Sequence, residues 1–147
     1  MSIKLSGIAA PISTPFVNGE VAYDRLRSNV QKYSETALAG FFALGSNGES
    51  VFLTESEKLK VLEVVLQEKS DRQLVMAGAG CESTWQTISF SNQIAEMGAD
   101  YVSILTPSKI PWISSSWPLN MCLSHGIPKG LGPTGISWVS QMTGGRR

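Results

Sequence analysis

The sequence predicts an α/β fold in which helices cover a parallel sheet. Two observations support this prediction. Short apolar runs alternate with amphipathic stretches over residues 7–105, and the runs are apolar at nearly every position. Strands buried on both faces lack polar alternation, which is typical of a parallel sheet. The chain has 147 residues, 42% of them hydrophobic and 16% charged, which suffices for one domain with a core.

The elements are predicted in order along the chain. Strands are predicted at residues 7–12, 40–44, 73–77 and 101–105. Helices are predicted at about 23–38, 54–69 and 83–97. The first helix is indicated by the helical spacing of Leu26, Val30 and Tyr33, and the turn before it by Asn18-Gly19.

Capping signals predict where the other two helices begin. Thr54 and Glu57 form a capping-box pattern, because the hydroxyl can accept from the third backbone N–H while the carboxylate reaches back. Ser83 and Gln86 repeat this pattern before the third helix. Strand is therefore followed by helix three times, and a fourth strand comes last.

Small and polar residues follow each predicted strand, at the edge of the sheet where α/β folds place their functional sites. The most informative segment is Gly45-Ser46-Asn47-Gly48-Glu49, after the second strand. Glycines would let backbone N–H groups approach an anion, and hydroxyl and amide groups can donate to it. The alternative is a plain β–α turn whose glycines adopt positive φ.

Residues 109–147 differ in composition from residues 1–108. The last acidic residue of the chain is Asp100, whereas the tail carries only cationic charges and is rich in Trp, Pro, Gly and Ser. Few apolar runs remain there to offset the entropy of ordering the chain. We therefore expect an irregular tail, which a reading-frame shift, an alternative exon or a cloning junction could each explain.

Several motifs of the first part occur in the order found in one family. They are Thr14-Pro15-Phe16, the 45–49 turn, 77–81, 98–100 and Thr106-Pro107. Residues 5–107 thereby resemble the pyruvate-dependent class I aldolases, the family that includes dihydrodipicolinate synthase and N-acetylneuraminate lyase. Segments 45–49 and 80–84 are most similar to the 4-hydroxy-2-oxoglutarate aldolase branch.

The resemblance implies the N-terminal half of a (β/α)₈ TIM barrel, with four strands and three helices. It also implies a lyase or aldolase that forms a Schiff base between a lysine and a 2-oxo acid such as pyruvate, with no cofactor and no metal. By position in the motif, the resemblance assigns binding of the acid's carboxylate to Ser46 and Asn47. Asn47 occupies a position where family members commonly have threonine. The residues expected to line the pocket are Thr14, Gly45, Gly48, Gly78 and Thr106.

The sequence departs from the family after residue 107. The family's Schiff-base lysine and relay tyrosines have no counterpart, and Tyr101 is the last tyrosine of the chain. Lys109 and Lys129 lie among prolines, glycines and serines, where we expect them to be solvated rather than imine-forming. We therefore expect a truncated family member with no catalytic residues, inactive alone. Two alternatives stay open: imine formation by a tail lysine, and a non-catalytic module that associates with a full-length paralogue.

A half barrel also predicts how the chain associates. Four strands leave two sheet edges and an apolar inner face uncovered, so we expect low stability or self-association. The zero net charge gives no support for nucleic-acid or anionic-membrane binding. No apolar run reaches the roughly 20 residues of a membrane span, and the start of the chain is too polar for a signal peptide, so we expect a cytoplasmic protein.

Two other kinds of site are disfavoured. Cys81 and Cys122 match no metal or redox spacing. Gly78, Gly80 and Ser83 nearly form a dinucleotide fingerprint, but its third glycine is missing and Asp100 precedes its strand. We expect neither a metal site nor a nucleotide site.

Overall fold

The computed structural model describes residues 6–104 and 123–126. Four parallel strands of its main sheet lie side by side in the order β1 (Ala9–Pro11), β4 (Gly40–Ala43), β5 (Leu74–Gly78) and β6 (Tyr101–Ile104). A fifth strand, β7 (Leu123–Gly126), lies on the β6 edge. The helices are α1 (Tyr23–Ser34), α2 (Glu55–Glu68) and α3 (Thr84–Glu96). Four parallel strands and three helices are thus confirmed.

The three helices lie on one face of the sheet, where the core is. Phe41 of β4 pairs with Val75 of β5, and Ala77 of β5 pairs with Val102 of β6. Side chains paired across neighbouring strands share a face, and these four are almost completely buried. The helix residues packed in the same core are Leu26, Val30, Val61, Leu62, Val64, Val65, Phe90 and Ile94.

The opposite face of the sheet is less covered. Because successive side chains of a strand alternate between faces, Phe42 and Met76 point away from the helix-covered core. They pair with each other, and Pro11 pairs with Phe42 from the neighbouring strand. Phe42 and Met76 are half-buried, and Pro11 is exposed. This inner face is the surface that we expected a half barrel to leave open.

Helix α1 ends four residues before the predicted boundary, at Ser34. The Thr36 hydroxyl donates to the Tyr33 carbonyl oxygen at 2.6 Å, and Arg72 donates to the Thr36 carbonyl oxygen at 2.8 Å. The first bond satisfies a carbonyl in the last turn of the helix, and the second holds the segment that leads from the helix to β4. Tyr33, which the helical spacing included in the apolar stripe, is exposed.

The predicted capping boxes differ in completeness. Thr54 accepts from the Glu57 N–H at 3.3 Å, and the Thr54 N–H donates to the Glu57 carboxylate at 2.8 Å, so this box is confirmed. Ser83 accepts from the Gln86 N–H at 3.1 Å. The return bond from Ser83 to the Gln86 side chain is absent from the hydrogen bonds of the described residues.

Two short elements were not predicted. The Asn18-Gly19 turn joins β2 (Phe16–Val17) to β3 (Glu20–Val21) in an antiparallel hairpin, and both turn residues have positive φ. Strand β7 runs antiparallel to β6. It is the one part of the expected irregular tail, 109–147, that the structure describes. The remainder of that tail lies outside the described residues, so the boundary near residue 108 stays a prediction.

Among the described residues, no helix is long and apolar enough to cross a membrane. The same residues include no group of three or more side chains suited to hold a metal ion.

Candidate functional site

The segment after β4 forms a short 3₁₀ turn at the carboxyl end of the parallel strands. The turn covers Ser46–Gly48 and is preceded by Gly45. Gly48 N–H donates to the Gly45 carbonyl oxygen, and Glu49 N–H to the Ser46 carbonyl oxygen, both at 3.0 Å. Gly45 and Gly48 are buried, whereas Ser46 and Asn47 are exposed. The turn therefore presents the two predicted carboxylate-binding residues to solvent.

Hydrogen-bond donors are concentrated on this turn. Within the described residues, the backbone N–H groups of Ser46 and Asn47 donate no hydrogen bond. The Ser46 hydroxyl donates to the Asn47 side-chain oxygen at 3.4 Å, which leaves the Asn47 amide –NH₂ available. The first N–H groups of a helical turn point out of its start and favour anions. The two backbone N–H groups and the Asn47 amide are thus available to a small carboxylate, and the Ser46 hydroxyl becomes a fourth donor when it rotates away from Asn47.

Thr14, three residues after the end of β1, supports the turn. Its hydroxyl donates to the Gly48 carbonyl oxygen at 2.7 Å, and the residue is only 6% exposed. A Cβ at position 48 would lie 3.0 Å from the Ile12 carbonyl oxygen and 3.6 Å from the Thr14 hydroxyl oxygen. Thr14 and Gly48 therefore hold the turn against the end of the neighbouring strand.

Gly45 and Gly78 are required for close packing. A Cβ on Gly45 would lie 2.8 Å from the Phe42 ring. A Cβ on Gly78 would clash with the Leu44 carbonyl oxygen. The turn thus rests on the Phe42 ring below it and against β5 beside it.

The plain-turn interpretation, with glycines at positive φ, is wrong in its detail. Gly45 has φ −80°, and the left-handed residues are Leu44, with φ 58°, and Glu49, with φ 52°. Each such conformation costs a non-glycine residue about 1 kcal/mol. Sequence reasoning missed Leu44 because nothing in a leucine signals a left-handed backbone. Strain on both sides of the turn is typical of functional loops.

The structure brings most of the predicted site residues together. Thr14 reaches Gly48, and Gly78 lies against Leu44 and Gly45. Ser46 and Asn47 lie on the same turn. Thr106 falls outside the described residues, so its predicted place in the pocket stays a prediction.

The other residues weighed in the sequence have structural partners. Asp100 accepts from the Val75 N–H at 2.9 Å, near the start of β5 and away from the carboxyl ends of the strands. Ser83 caps α3. The Cys81 N–H donates to the Thr87 hydroxyl at 3.2 Å, and the Cys81 side chain packs against the core. These contacts explain the near-fingerprint at 78–83 without a nucleotide.

Two carboxyl groups on α2 have shifted pKa values with local structural causes. Hydrogen bonds from the Thr54 hydroxyl and N–H lower the pKa of Glu57 below its ordinary value. Hydrogen bonds from Gln31 and Arg27, together with the Arg27 charge, lower the pKa of Glu68. Both carboxylates anchor helices, which identifies them as stabilising groups rather than acid–base groups of the turn.

The family model described as the dihydrodipicolinate synthetase family matches residues 4–110. The chain belongs to this family. The match extends slightly beyond the segment 5–107 in which the sequence showed the resemblance. Membership of the dihydrodipicolinate synthetase family relates the chain to lyases and aldolases at the level of the family. The matched residues include the turn at 45–49.

Two curated relatives in the dihydrodipicolinate synthetase family are 4-hydroxy-tetrahydrodipicolinate synthases. The protein from Methanococcus maripaludis (strain C6) is 38% identical over 103 residues, which are 70% of this chain and 36% of the relative. The protein from Staphylococcus haemolyticus is 34% identical over 101 residues, 69% of this chain and 34% of the relative. The chain thus spans about a third of the length of these relatives. The 4-hydroxy-2-oxoglutarate aldolase branch is not confirmed.

Solved structures of the dihydrodipicolinate synthetase family superpose on this chain. A crystal structure of dihydrodipicolinate synthase matches with a TM-score of 0.65 at 38% identity, covering 69% of this chain and 36% of that one. The enzyme from Aquifex aeolicus gives 0.66 at 29% identity, covering 70% and 35%. YagE from E. coli K12, solved in complex with pyruvate, gives 0.65 at 25% identity, covering 70% and 35%. The predicted N-terminal half of a TIM barrel is confirmed.

Proposed function

We propose that this chain carries the carboxylate-binding part of a pyruvate-dependent lyase site and binds a small 2-oxo acid at Ser46 and Asn47. The observation that carries the proposal is the set of outward donors on the turn after β4, at the carboxyl end of the parallel strands. A pyruvate complex of a family structure supports the choice of ligand. The 4-hydroxy-2-oxoglutarate aldolase branch remains one specific substrate proposal within this class.

The proposed interaction is weak by itself. Each hydrogen bond contributes about 1 kcal/mol net, so four donors provide roughly 4 kcal/mol, which corresponds to a Kd of about 1 mM. Glu49 adds a negative charge beside the turn and no attraction for an anion. We therefore expect recognition of the carboxylate without tight retention of the acid.

We further propose that this 147-residue chain forms no imine with the acid. An imine-forming lysine must lose its proton, which requires burial or a nearby cation. Lys58 lies over the Phe90 ring and Lys60 over the Tyr23 ring, at 5.8 and 4.5 Å from the ring centres. Lys69 donates to the Gln73 carbonyl oxygen at 3.0 Å. These three lysines belong to α2 or its end, and their contacts do not include the 45–49 turn.

Pyruvate titration followed by NMR tests the binding proposal. The double variant Ser46→Ala/Asn47→Ala is expected to lose chemical-shift changes at residues 45–49, because two of the four donors are removed. The matched control is Ser89→Ala/Asn92→Ala, which changes the same two residue types at exposed positions of α3. The control is expected to bind as the unmodified chain does. Equal binding by all three proteins would contradict the proposal.

Borohydride treatment with pyruvate, followed by intact mass measurement, tests the absence of an imine. We expect an unmodified mass under conditions in which a full-length 4-hydroxy-tetrahydrodipicolinate synthase is trapped. A trapped adduct on the purified chain would favour the alternative in which a lysine of the tail, Lys109 or Lys129, forms the imine.

A second candidate function is a non-catalytic module that pairs with another barrel. The observation in its favour is the inner face, on which Pro11 is exposed and Phe42 and Met76 are only half-buried. Apolar surface of this kind favours association with a second copy or with a full-length paralogue. Sedimentation velocity over a range of concentrations detects the first, and co-purification with a tagged full-length relative the second. A cytoplasmic location, expected from the sequence, is part of either proposal.

A further inference from the structure

Strand β7 lies at the sheet edge where a TIM barrel would continue. In a (β/α)₈ barrel every strand has a parallel neighbour on each side. Here β6 pairs in parallel with β5 on one side and antiparallel with β7 on the other. The antiparallel register covers all four residues of β6, from Tyr101 opposite Gly126 to Ile104 opposite Leu123. A strand of opposite direction thus takes the place of the next barrel strand.

Occupation of this edge has a direct consequence for association. An edge strand recruits a further strand through its unpaired backbone N–H and C=O groups. On β6 the outward groups face β7, so they are not open to a parallel strand from another molecule. A new parallel strand can pair with β6 only after β7 has left.

The other edge of the sheet, formed by β1, lacks a backbone N–H group that a further strand would need. The Ile8 carbonyl oxygen and the Ile12 N–H both bond towards β4, at 2.9 Å each. Since backbone groups of successive strand residues face opposite sides, Pro11 faces the open edge. Proline has no N–H, so the β1 edge lacks one donor there. A joint between β1 of one copy and β6 of another therefore depends on the backbone groups of β6.

We propose that β7 is an internal strap that prevents two copies of this chain from closing into one eight-stranded barrel. Two copies related by a two-fold axis along the barrel would bring β6 of each beside β1 of the other, in parallel. This closure would also cover Phe42 and Met76 of both copies. The β7 strands of the two copies occupy both of these β6–β1 junctions. This proposal rests on the association proposed above. It names a second copy of the chain as the partner and β7 as the element that regulates the pairing.

Two proline substitutions on β7 form a matched pair of tests. Adjacent strand residues direct their N–H groups to opposite sides, so only one of Ser124→Pro and His125→Pro removes a bond to β6. That variant is expected to speed exchange of the β6 amides that face β7 by about tenfold. The same variant is expected to shift the chain from monomer to dimer in sedimentation velocity. The other variant is expected to match the unmodified chain in both measurements.

Each contrary result overturns the proposal in a recognisable way. Unprotected amides on the β7 side of β6 in the unmodified chain would show that β7 does not hold the edge. Faster exchange without dimer formation would show that releasing β7 is not sufficient for closure. A dimer of the unmodified chain with protected β6 amides would show that β7 does not prevent association. Pyruvate titration of the same samples reports separately on the turn at 45–49, so failure of the strap and failure of carboxylate binding are distinguishable.

Discussion

At the scale of single residues, the glycines around the turn differ in what they contribute. Gly19 needs its positive φ in an open hairpin, where an added Cβ would meet no atom within 4 Å. Gly78 has ordinary backbone angles but lies so close to Leu44 that a methyl group would strike the Leu44 carbonyl oxygen. The sequence signals the first case through the Asn18-Gly19 pair, but nothing in Ala77-Gly78-Ala79 signals the second.

Substitution of Gly78 by alanine tests this difference. We expect Gly78→Ala to lower the free energy of unfolding by about 2–3 kcal/mol, since backbone of β4 or β5 must shift to admit the methyl group. The control Gly19→Ala is expected to cost only about 1 kcal/mol, the cost of a left-handed alanine. Urea denaturation measures both values. Equal losses would mean that the close approach of Gly78 to Leu44 does not constrain the turn.

The position of Ser46 and Asn47 after β4 was predictable from the sequence, whereas their role as carboxylate ligands stays a prediction. The side chains of Ser46 and Asn47 are hydrogen-bond donors in any surroundings, and the order of the family's motifs along the chain predicted that they follow a strand. The contributions of Leu44 and Phe42 to the shape of the turn were not predictable. Their contributions are a backbone angle and a ring position, which depend on the packing of β4 against β5.

At the scale of elements, the helix starts were predicted to within one residue, whereas the end of α1 was misplaced by four residues. The Thr54–Glu57 box is encoded by side-chain chemistry within one turn, and the structure has both bonds. The end of α1 depends on Arg72, which is distant in sequence, so helical spacing alone extended the helix too far. The second strand ends before Leu44 for a similar reason, because the left-handed residue breaks the extended conformation.

The capping box predicts a pH dependence. The pKa of Glu57 is lowered in the folded chain by hydrogen bonds from Thr54, relative to an ordinary value of 4.5. A lowered folded-state pKa stabilises the protein above the ordinary pKa, and this contribution is lost as the pH falls through the folded value. Glu57→Gln is therefore expected to reduce the loss of thermal stability between neutral pH and about pH 3.

Melting curves followed by circular dichroism across that pH range measure the effect. Thr54→Ala removes the two hydrogen bonds that the Thr54 hydroxyl makes with Glu57, one to the Glu57 carboxylate and one from the Glu57 N–H, and keeps the bond from the backbone N–H of residue 54. It is expected to flatten the pH dependence in part, while lowering stability at neutral pH by about 1 kcal/mol. An unchanged pH profile in both variants would contradict a stabilising role for the ionised Glu57 carboxylate.

At the scale of the whole molecule, the main sheet has one face buried under the helices and one face partly open to solvent. Phe41 and Val75 are completely buried under the helices, whereas their sequence neighbours Phe42 and Met76 are only half-buried. In the complete barrels of the family, side chains from opposite strands fill this interior. The apolar character of Met76 was readable from the sequence, but its exposure follows from the number of strands around it.

The open face predicts binding of a hydrophobic dye by the folded chain. We expect Met76→Ser to reduce the fluorescence of bound 8-anilinonaphthalene-1-sulfonate, because the inner face becomes less apolar. Ile88→Ser, on the outer surface of α3, is the control and is expected to leave the fluorescence unchanged. A dye signal equal in all three proteins would place the binding elsewhere.

The hydrogen bond from Gly48 to Gly45 has a consequence for the chemical ageing of the protein. An asparagine followed by glycine deamidates when the glycine backbone nitrogen attacks the asparagine side chain, and Asn47 is followed by Gly48. In the 3₁₀ turn that nitrogen is held on the Gly45 carbonyl oxygen at 3.0 Å, which keeps it from the attack. Deamidation would leave an aspartate at position 47, whose negative charge repels a carboxylate. The hydrogen bond that shapes the turn thus also slows the loss of the Asn47 amide group.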